Sequence, residues 1–186
     1  MRIITVSGSH SGVGKTTLAL LLLARLSGYG AVKVSMTDFF TSVTDDPDKV
    51  CVPGKDTALM KDAGAAHVVF AQCTTEELSE CLSYALNLLG GVSGAVIEGN
   101  SPARLLDPDT AFFVTGADVS AVKPSALEVL ARADVVVVNV EEYEPHADTE
   151  AAVRRHNRSA VITTMRRMRE PDVAVTEFFA RLSDSE

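Results

Sequence analysis

One short segment of the chain combines the residue types that bind phosphate. Residues 9–16 read SHSGVGKT, follow a β-branched run and precede a strongly apolar helical pattern. Glycines allow close approach of the backbone, so loop N–H groups can converge on a phosphate at the positive end of a helix. Lys15 is expected to reach the β- and γ-phosphates, and Thr16 to bind Mg²⁺ through its hydroxyl. Ser9, preceded by Gly8, stands where this pattern usually has its first glycine.

The segment therefore predicts a site for a nucleoside triphosphate, with a glycine-rich strand-to-helix turn as the structural alternative. His10 stands where some dimerising ATPases with a related loop carry a second lysine, so a mechanism that acts through such a lysine is not expected. The residues of the loop expected to contact the nucleotide are Ser11, Gly12, Val13, Gly14, Lys15, Thr16 and Thr17.

Two acidic residues are placed to complete a magnesium site. Mg²⁺ bound to a nucleotide needs one or two protein carboxylates. Glu98 follows the apolar residues 95–97, at the carboxyl end of a predicted strand, where open α/β sheets bind ligands. Asp38 lies just past another strand in a long polar loop. We expect Thr16, Glu98 and Asp38 to bind the metal, and Lys15, Glu98 and Asp38 to carry catalysis; a locally satisfied strand-end acid is the alternative for each carboxylate.

A later strand is followed by residues that resemble the base-reading loop of GTPases. Asn139 begins the sequence Asn-Val-Glu-Glu, where GTPases have Asn-Lys-x-Asp, so Val140 and Glu142 replace the lysine and the aspartate. Asn139 can still form a hydrogen bond with a purine edge, and we predict that it contacts the nucleotide. The base stays open between GTP and ATP, and an asparagine that caps the next turn is the structural alternative.

A second anion site is predicted beside the γ-phosphate. Residues 53–57 read PGKDT and precede a helix that Asp56 or Thr57 is expected to cap. Lys55 would then lie at the positive end of a helix, which is unfavourable by up to about 1 kcal/mol unless an anion binds nearby. Lys55 and Lys33, from the second strand, are the candidate residues; a solvated loop lysine is the alternative.

An alternating framework of strands and helices must bring these residues together. Short β-branched runs alternate with helical patterns, and residues 135–138 are four consecutive valines, as in strands covered on both faces. We predict an α/β fold, a three-layer P-loop NTPase fold with a mainly parallel sheet flanked by helices, in one domain over residues 1–186. Strands are predicted over 2–7, 31–36, 67–72, 94–98, 111–115, 134–140 and 160–163, and helices over 15–26, 56–65, 75–89, 125–133, 147–157 and 171–182.

Composition narrows the classes of partner. The 17 Lys and Arg against 25 Asp and Glu give a net charge of −8, which disfavours a protein that wraps nucleic acid. Three cysteines without C-x-x-C spacing are typical of reduced thiols in a cytoplasmic protein. The longest apolar run, residues 18–24, is far shorter than the roughly 20 residues of a membrane span. We therefore expect a cytoplasmic protein with no nucleic acid or membrane partner.

Several of these segments together resemble molybdopterin-guanine dinucleotide biosynthesis protein B, over roughly the first 100 residues. The segments are GSHSGVGKTT at 8–17, AVK at 31–33, PGKDT at 53–57, DAGA at 62–65 and VIEG at 96–99. The resemblance implies a SIMIBI-class P-loop fold, a homodimer, and GTP binding with weak hydrolysis. It also implies an accessory role in the molybdenum cofactor pathway, with a nucleotidyltransferase or a molybdoenzyme maturation factor as partner. The segment SMTDFF at 35–40 departs from the histidine-rich segment that this family often has.

Two other functions are compatible with the same motifs. An ATP-dependent small-molecule synthetase similar to dethiobiotin synthetase would have an equivalent Glu-Gly strand end for magnesium, matching residues 98–99. A GTP-driven metallochaperone is less compatible, because the sequence has neither paired histidines nor C-x-x-C spacing to hold a metal cargo.

Overall fold

A computed structural model describes residues 1–119, 122–140 and 147–166. The strands in these ranges are β1 Arg2–Gly8, β2 Tyr29–Met36, β3 Ser42–Thr44, β4 Val68–Cys73, β5 Gly94–Glu98, β6 Thr110–Thr115, β7 Val135–Val140 and β8 Val161–Arg166. The helices are α1 Lys15–Arg25, α2 Pro47–Val50, α3 Asp56–Asp62, α4 Leu78–Leu88, α5 Asn100–Leu105, α6 Pro124–Arg132 and α7 Ala147–His156. Among the described helices, none is long and apolar enough to cross a membrane.

The strands form one sheet in the order β3-β4-β2-β5-β1-β6-β7-β8. Every pairing is parallel except the one between β3 and β4. The predicted α/β fold with a mainly parallel sheet is therefore confirmed. Because parallel strands end at the same edge, the segments that follow β1, β2 and β5 meet there. In the register of β2 and β5, Lys33 pairs directly with Glu98.

Apolar side chains on both faces of the sheet hold this arrangement together. The four consecutive valines of β7 are at most 1% exposed. Val135 and Val137 pack into the core beneath α1, whereas Val136 packs into the core beneath α6. The side-chain period of two residues in a strand explains this alternation. Helix α1 buries Leu18 and Leu22 against the same core as β1, which fixes where the loop before α1 lies.

Two helices and one strand differ from the sequence prediction. The polar stretch 37–55, predicted as a long loop, contains β3 and the four-residue helix α2. Strand β3 has only three residues, which pair with β4. Because this pairing is with a distant segment, no local sequence pattern predicts the strand. Helix α5 follows β5 directly, and Gly99 at its N-cap has a φ of 151°, a conformation that favours glycine. The predicted helix over 171–182 lies outside the described residues, as do residues 141–146.

Candidate functional site

A cavity of about 550 Å³ lies where the loop between β1 and α1 faces the ends of β2 and β5. Helix α1 begins at Lys15, and Gly14 at its N-cap has a φ of 107°. Val13 is buried in the core below the loop and does not line the cavity. The other residues expected to contact a nucleotide from this loop do line it: Ser11, Gly12, Gly14, Lys15, Thr16 and Thr17.

The side chain of Lys15 folds back over this loop. Its Nζ donates a hydrogen bond to the carbonyl oxygen of His10 at 2.8 Å. Burial lowers the pKa of Lys15 below its ordinary value, and the carboxylate of Glu98 offsets only part of that effect. The ammonium group is thus partly desolvated without full compensation by negative charge. A phosphate in the cavity would supply that charge.

Thr16, Glu98, Lys33 and Asp56 form one polar cluster in the wall of the cavity. The hydroxyl of Thr16 lies 3.0 and 3.2 Å from the two carboxylate oxygens of Glu98, to which it donates. Lys33 Nζ lies 2.5 Å from Glu98 Oε1 and 2.7 Å from Asp56 Oδ2. The Glu98 side chain is only 2% exposed, so these hydrogen bonds and the ion pair take the place of water around its carboxylate.

The donor atoms of this cluster fit a magnesium ion. Mg²⁺ prefers oxygen ligands and takes one or two carboxylates, with phosphate and water completing its shell. Thr16 and Glu98 present a hydroxyl and a carboxylate side by side, and Asp56 adds a second carboxylate 2.7 Å beyond the Lys33 ammonium. Within the described ranges, no group of three or more His, Cys, Asp or Glu residues could hold a metal ion.

Several solved structures share this architecture. HypB from Helicobacter pylori in complex with nickel has a TM-score of 0.63 and 14% identity, over 99% of this chain and 86% of that one. The hydrogenase maturation factor HypB from Archaeoglobus fulgidus has a TM-score of 0.60 and 15% identity, over 99% and 89%. The Zn(II)-bound triple mutant of the YjiA GTPase has a TM-score of 0.51 and 19% identity, over 88% and 57%.

The fold is the α/β fold of P-loop NTPases, with a mainly parallel sheet and flanking helices. No protein-family model matches the sequence, and no curated protein matches it either. At 14–19% identity, these structural similarities show the P-loop fold. They do not show the finer resemblance to molybdopterin-guanine dinucleotide biosynthesis protein B.

Asn139 supports the P-loop from the side. Its Nδ2 donates to the carbonyl oxygen of Val13 at 2.8 Å, whereas its buried Oδ1 has no hydrogen-bond partner in the described part of the chain. The side chain also touches the position where a Cβ on Gly14 would stand. The structure therefore places Asn139 directly against the P-loop, outside the lining of the cavity. Glu142, the second departure from the GTPase pattern, lies outside the described residues.

The remaining candidate residues divide between two places. Asp38 is exposed in the segment after β2 and does not line the P-loop cavity, so the structure does not bring it together with Thr16 and Glu98. Lys55 lines a neighbouring cavity that it shares with Lys33. Neither Asp56 nor Thr57 caps α3, because the helix already begins at Asp56 and Lys55 takes the N-cap position. The Asp56 carboxylate instead reaches Lys33.

Three residues at or beside the cavity were not predicted as site residues from the sequence. Asn100 exchanges two hydrogen bonds with the backbone of Gly8, at 2.9 and 2.8 Å, and so fixes the start of the P-loop. Asp56 pairs with Lys33, and Lys123 lines the P-loop cavity. The position of Asn100 two residues after a strand-end glutamate is a signal that could have suggested Asn100. For Asp56 and Lys123 the relevant contacts are long-range.

Gly14→Ala is expected to damage the P-loop more than Gly12→Ala. Both glycines have positive φ, which costs an alanine roughly 1–2 kcal/mol. A Cβ on Gly14 would also overlap Asn139 Nδ2, whereas nothing lies within 4 Å of a Cβ on Gly12. Urea unfolding of both variants measures the difference. Adding Asn139→Ala to Gly14→Ala should recover the part caused by overlap; equal losses in the two single variants would contradict this packing.

The ion pairs of Lys33 predict that wild type is more stable than a Lys33 variant and that this difference is lost at high pH. Burial alone would lower the pKa of Lys33, but its hydrogen bonds to Asp56 and Glu98 together raise the pKa above the ordinary 10.5. The stabilisation is therefore complete below pH 10.5 and is lost as the pH rises through the folded-state pKa. Wild type should exceed Lys33→Met in free energy of unfolding at pH 9, and the gap should narrow by pH 12. Lys61→Met is the control. A difference in free energy of unfolding between wild type and Lys33→Met that is the same at pH 9 and pH 12 would contradict the assignment.

Proposed function

We propose that this chain binds a purine nucleoside triphosphate with Mg²⁺ in the P-loop cavity and hydrolyses it slowly. The observation that carries the proposal is the convergence of Lys15, Thr16 and Glu98 on one cavity of about 550 Å³. That volume lies in the range of small-molecule sites. The partly desolvated ammonium of Lys15 provides the positive charge that triphosphates need, and the glycines of the loop leave room for close backbone contact.

The residues of the cavity have separate tasks in this proposal. Thr16 and Glu98 would hold Mg²⁺, which would supply positive charge beside the phosphates. Lys15 would neutralise the charge that develops on the γ-phosphoryl group. Because phosphoryl transfer depends mainly on positioning and charge stabilisation, this set is sufficient for slow hydrolysis. We retain Asp38 in the proposal as a further candidate metal ligand and catalytic residue, although it does not line the P-loop cavity.

The proposed biological role is that of an accessory factor in molybdenum cofactor biosynthesis, with GTP as the preferred nucleotide. It is supported by the sequence resemblance over roughly the first 100 residues. It is also supported by the position of the characteristic segments 53–57 and 96–99, which both contribute to the wall of the P-loop cavity through Asp56 and Glu98. The partner would be a nucleotidyltransferase or a maturation factor of molybdoenzymes.

The same proposal includes a homodimer formed through an apolar patch beside the cavity. Phe39 is 88% exposed, Phe40 54% and Met36 41%, and Met36 also lines the P-loop cavity. Aromatic side chains exposed side by side are typical of protein interfaces. Phe39→Ser/Phe40→Ser should shift the GTP-loaded protein from dimer toward monomer in light scattering, with Tyr84→Ser, at an exposed position on α4, as control. An unchanged mass would remove this patch from the interface.

Calorimetric titration with GTP and with ATP, each with Mg²⁺, tests the proposal. Preference for GTP supports the accessory role, and loss of that preference in Asn139→Ala would assign the base contact to Asn139. Preference for ATP favours the second candidate function, a small-molecule synthetase similar to dethiobiotin synthetase. Binding of neither nucleotide overturns the proposed function.

One observation favours that second candidate. A further cavity of about 350 Å³ adjoins the P-loop cavity and shares Lys33, Ser35 and Asp56 with it. A synthetase needs a place for a second substrate next to the γ-phosphate. Hydrolysis that depends on an added small acid would support the synthetase, whereas slow hydrolysis indifferent to small acids would support the accessory factor.

A further inference from the structure

The cavity that adjoins the P-loop cavity has an unusual charge for this protein. Its lining contains three lysines, Lys33, Lys49 and Lys55, and a single carboxylate, Asp56. The chain as a whole carries a formal charge of −8. Two of these lysines are brought together by the chain path, because Lys49 lies in α2 and Lys55 directly precedes α3. Positive charge is therefore concentrated at one place of an acidic surface.

The lysines differ in how far their charge is already neutralised. Lys33 is held between Glu98 and Asp56 and forms the wall between the two cavities. Among the described residues, Lys49 forms an ion pair only with Asp46, at 3.9 Å, and that pair is exposed and worth little. Lys55 makes no ion pair with any residue that the structure describes. Lys49 and Lys55 thus have charge available for an anion in the cavity.

The remaining lining limits the size and polarity of a ligand. Phe70 of β4 is half-buried and presents an apolar surface to the same cavity as the lysines. A volume of about 350 Å³ is at the lower end of the range for small-molecule sites. A ligand that satisfies both features has a short apolar or aromatic part and one strongly anionic group.

We propose that this second cavity binds a small organic anion, a phosphate ester or a carboxylic acid, beside the position of the γ-phosphate. Lys49 and Lys55 contact the anionic group, and Phe70 packs against the apolar part. The adjacency to a γ-phosphate rests on the proposed function, but the anion site itself does not. In both candidate functions, the bound anion would be the molecule that is handled with the help of the nucleotide in the P-loop cavity.

Titration calorimetry of the full chain with phenyl phosphate tests the site. The P-loop is first saturated with Mg²⁺ and a non-hydrolysable GTP analogue, so that the probe cannot occupy it. Lys49→Gln/Lys55→Gln should raise the Kd of phenyl phosphate about tenfold. Lys61→Gln removes a charge from α3 outside the cavity and should change the Kd by less than about twofold. Equal Kd values in the double variant and the Lys61→Gln control would overturn the proposal.

Two further probes assign the parts of the ligand. Phe70→Leu should weaken phenyl phosphate and leave inorganic phosphate unchanged, because only the former has a ring. The Kd of benzoate is compared with that of phenyl phosphate. The tighter of the two shows whether the site prefers a carboxylate or a phosphate ester. Wild-type protein that binds none of the three probes overturns the proposal.

The Lys15→Ala variant separates this site from the P-loop. In the absence of nucleotide, Lys15→Ala should still bind phenyl phosphate with the wild-type dependence on Lys49 and Lys55. If that dependence holds while no nucleotide binds to wild-type protein, the proposed function fails and the anion site stands. If nucleotide binds normally and phenyl phosphate binding is indifferent to Lys49 and Lys55, the anion site alone fails.

Discussion

Lys15→Ala is expected to lower the affinity for Mg²⁺-GTP by about 100-fold while leaving the fold intact. Contacts of an ammonium group with two phosphates are charge-assisted hydrogen bonds, each worth roughly 1.5–3 kcal/mol. In the nucleotide-free protein the same group makes one hydrogen bond, to the His10 carbonyl oxygen. Because burial lowers the pKa of Lys15, its charge is not what stabilises the folded chain.

Calorimetric titration gives the affinity, and thermal unfolding without nucleotide gives the stability. Lys61→Ala, on the surface of α3 and outside the P-loop cavity, is the control for loss of one positive charge. Full GTP affinity in a folded Lys15→Ala protein would remove the P-loop from nucleotide binding. A collapse of stability in Lys15→Ala alone would instead show that the contact with His10 supports the fold.

Glu98→Gln should reduce GTP hydrolysis and its dependence on Mg²⁺ far more than it reduces nucleotide affinity. Glutamine has the same shape and still accepts a hydrogen bond from Thr16, but it lacks the charge that a magnesium ion requires. We expect hydrolysis to fall about 100-fold, the order found when one stabilising group at the reacting centre is removed. Lys33 keeps its contact with Asp56 at 2.7 Å, so this ammonium retains one carboxylate partner.

Hydrolysis rates over a magnesium titration provide the measurement. Asp56→Asn is the matched variant, because it removes the other carboxylate that contacts the Lys33 ammonium and leaves Thr16 and Glu98 in contact. A larger loss in Glu98→Gln than in Asp56→Asn assigns the metal to the Thr16 side of the cluster. The same magnesium dependence in wild type and Glu98→Gln would exclude Glu98 from the metal site.

The position of Lys33 affects the Glu98→Gln experiment and the test of the second cavity. Its ammonium group occupies the position between the two carboxylates that a cation would compete for. If Mg²⁺ binds at Glu98 as proposed, we expect it to weaken the pairing of Lys33 with Glu98. Lys33 also lines the second cavity. This shared wall links the two cavities through one side chain.

The sequence by itself determined the phosphate loop and the type of fold. The loop consists of eight consecutive residues, in which two glycines, one lysine and one threonine predict both the turn and the proposed ligand. The doubly buried valines of β7 and the apolar helix α1 indicated a covered parallel sheet, and the structure confirms it. Such signals are local, because strand and helix periodicities extend over only a few residues.

Only the tertiary structure decided which polar side chains meet in the cavity. Thr16 and Glu98 are 82 residues apart in the chain, and Lys33 and Glu98 are 65 apart, yet both pairs are in hydrogen-bond contact. The strand order places β5 between β1 and β2, and the register sets Lys33 opposite Glu98. Neither the order nor the register is encoded in a short pattern. For the same reason Asp56, and not the predicted Asp38, lies at the cavity, since the path of the chain through β3 and α2 carries α3 back to Lys33.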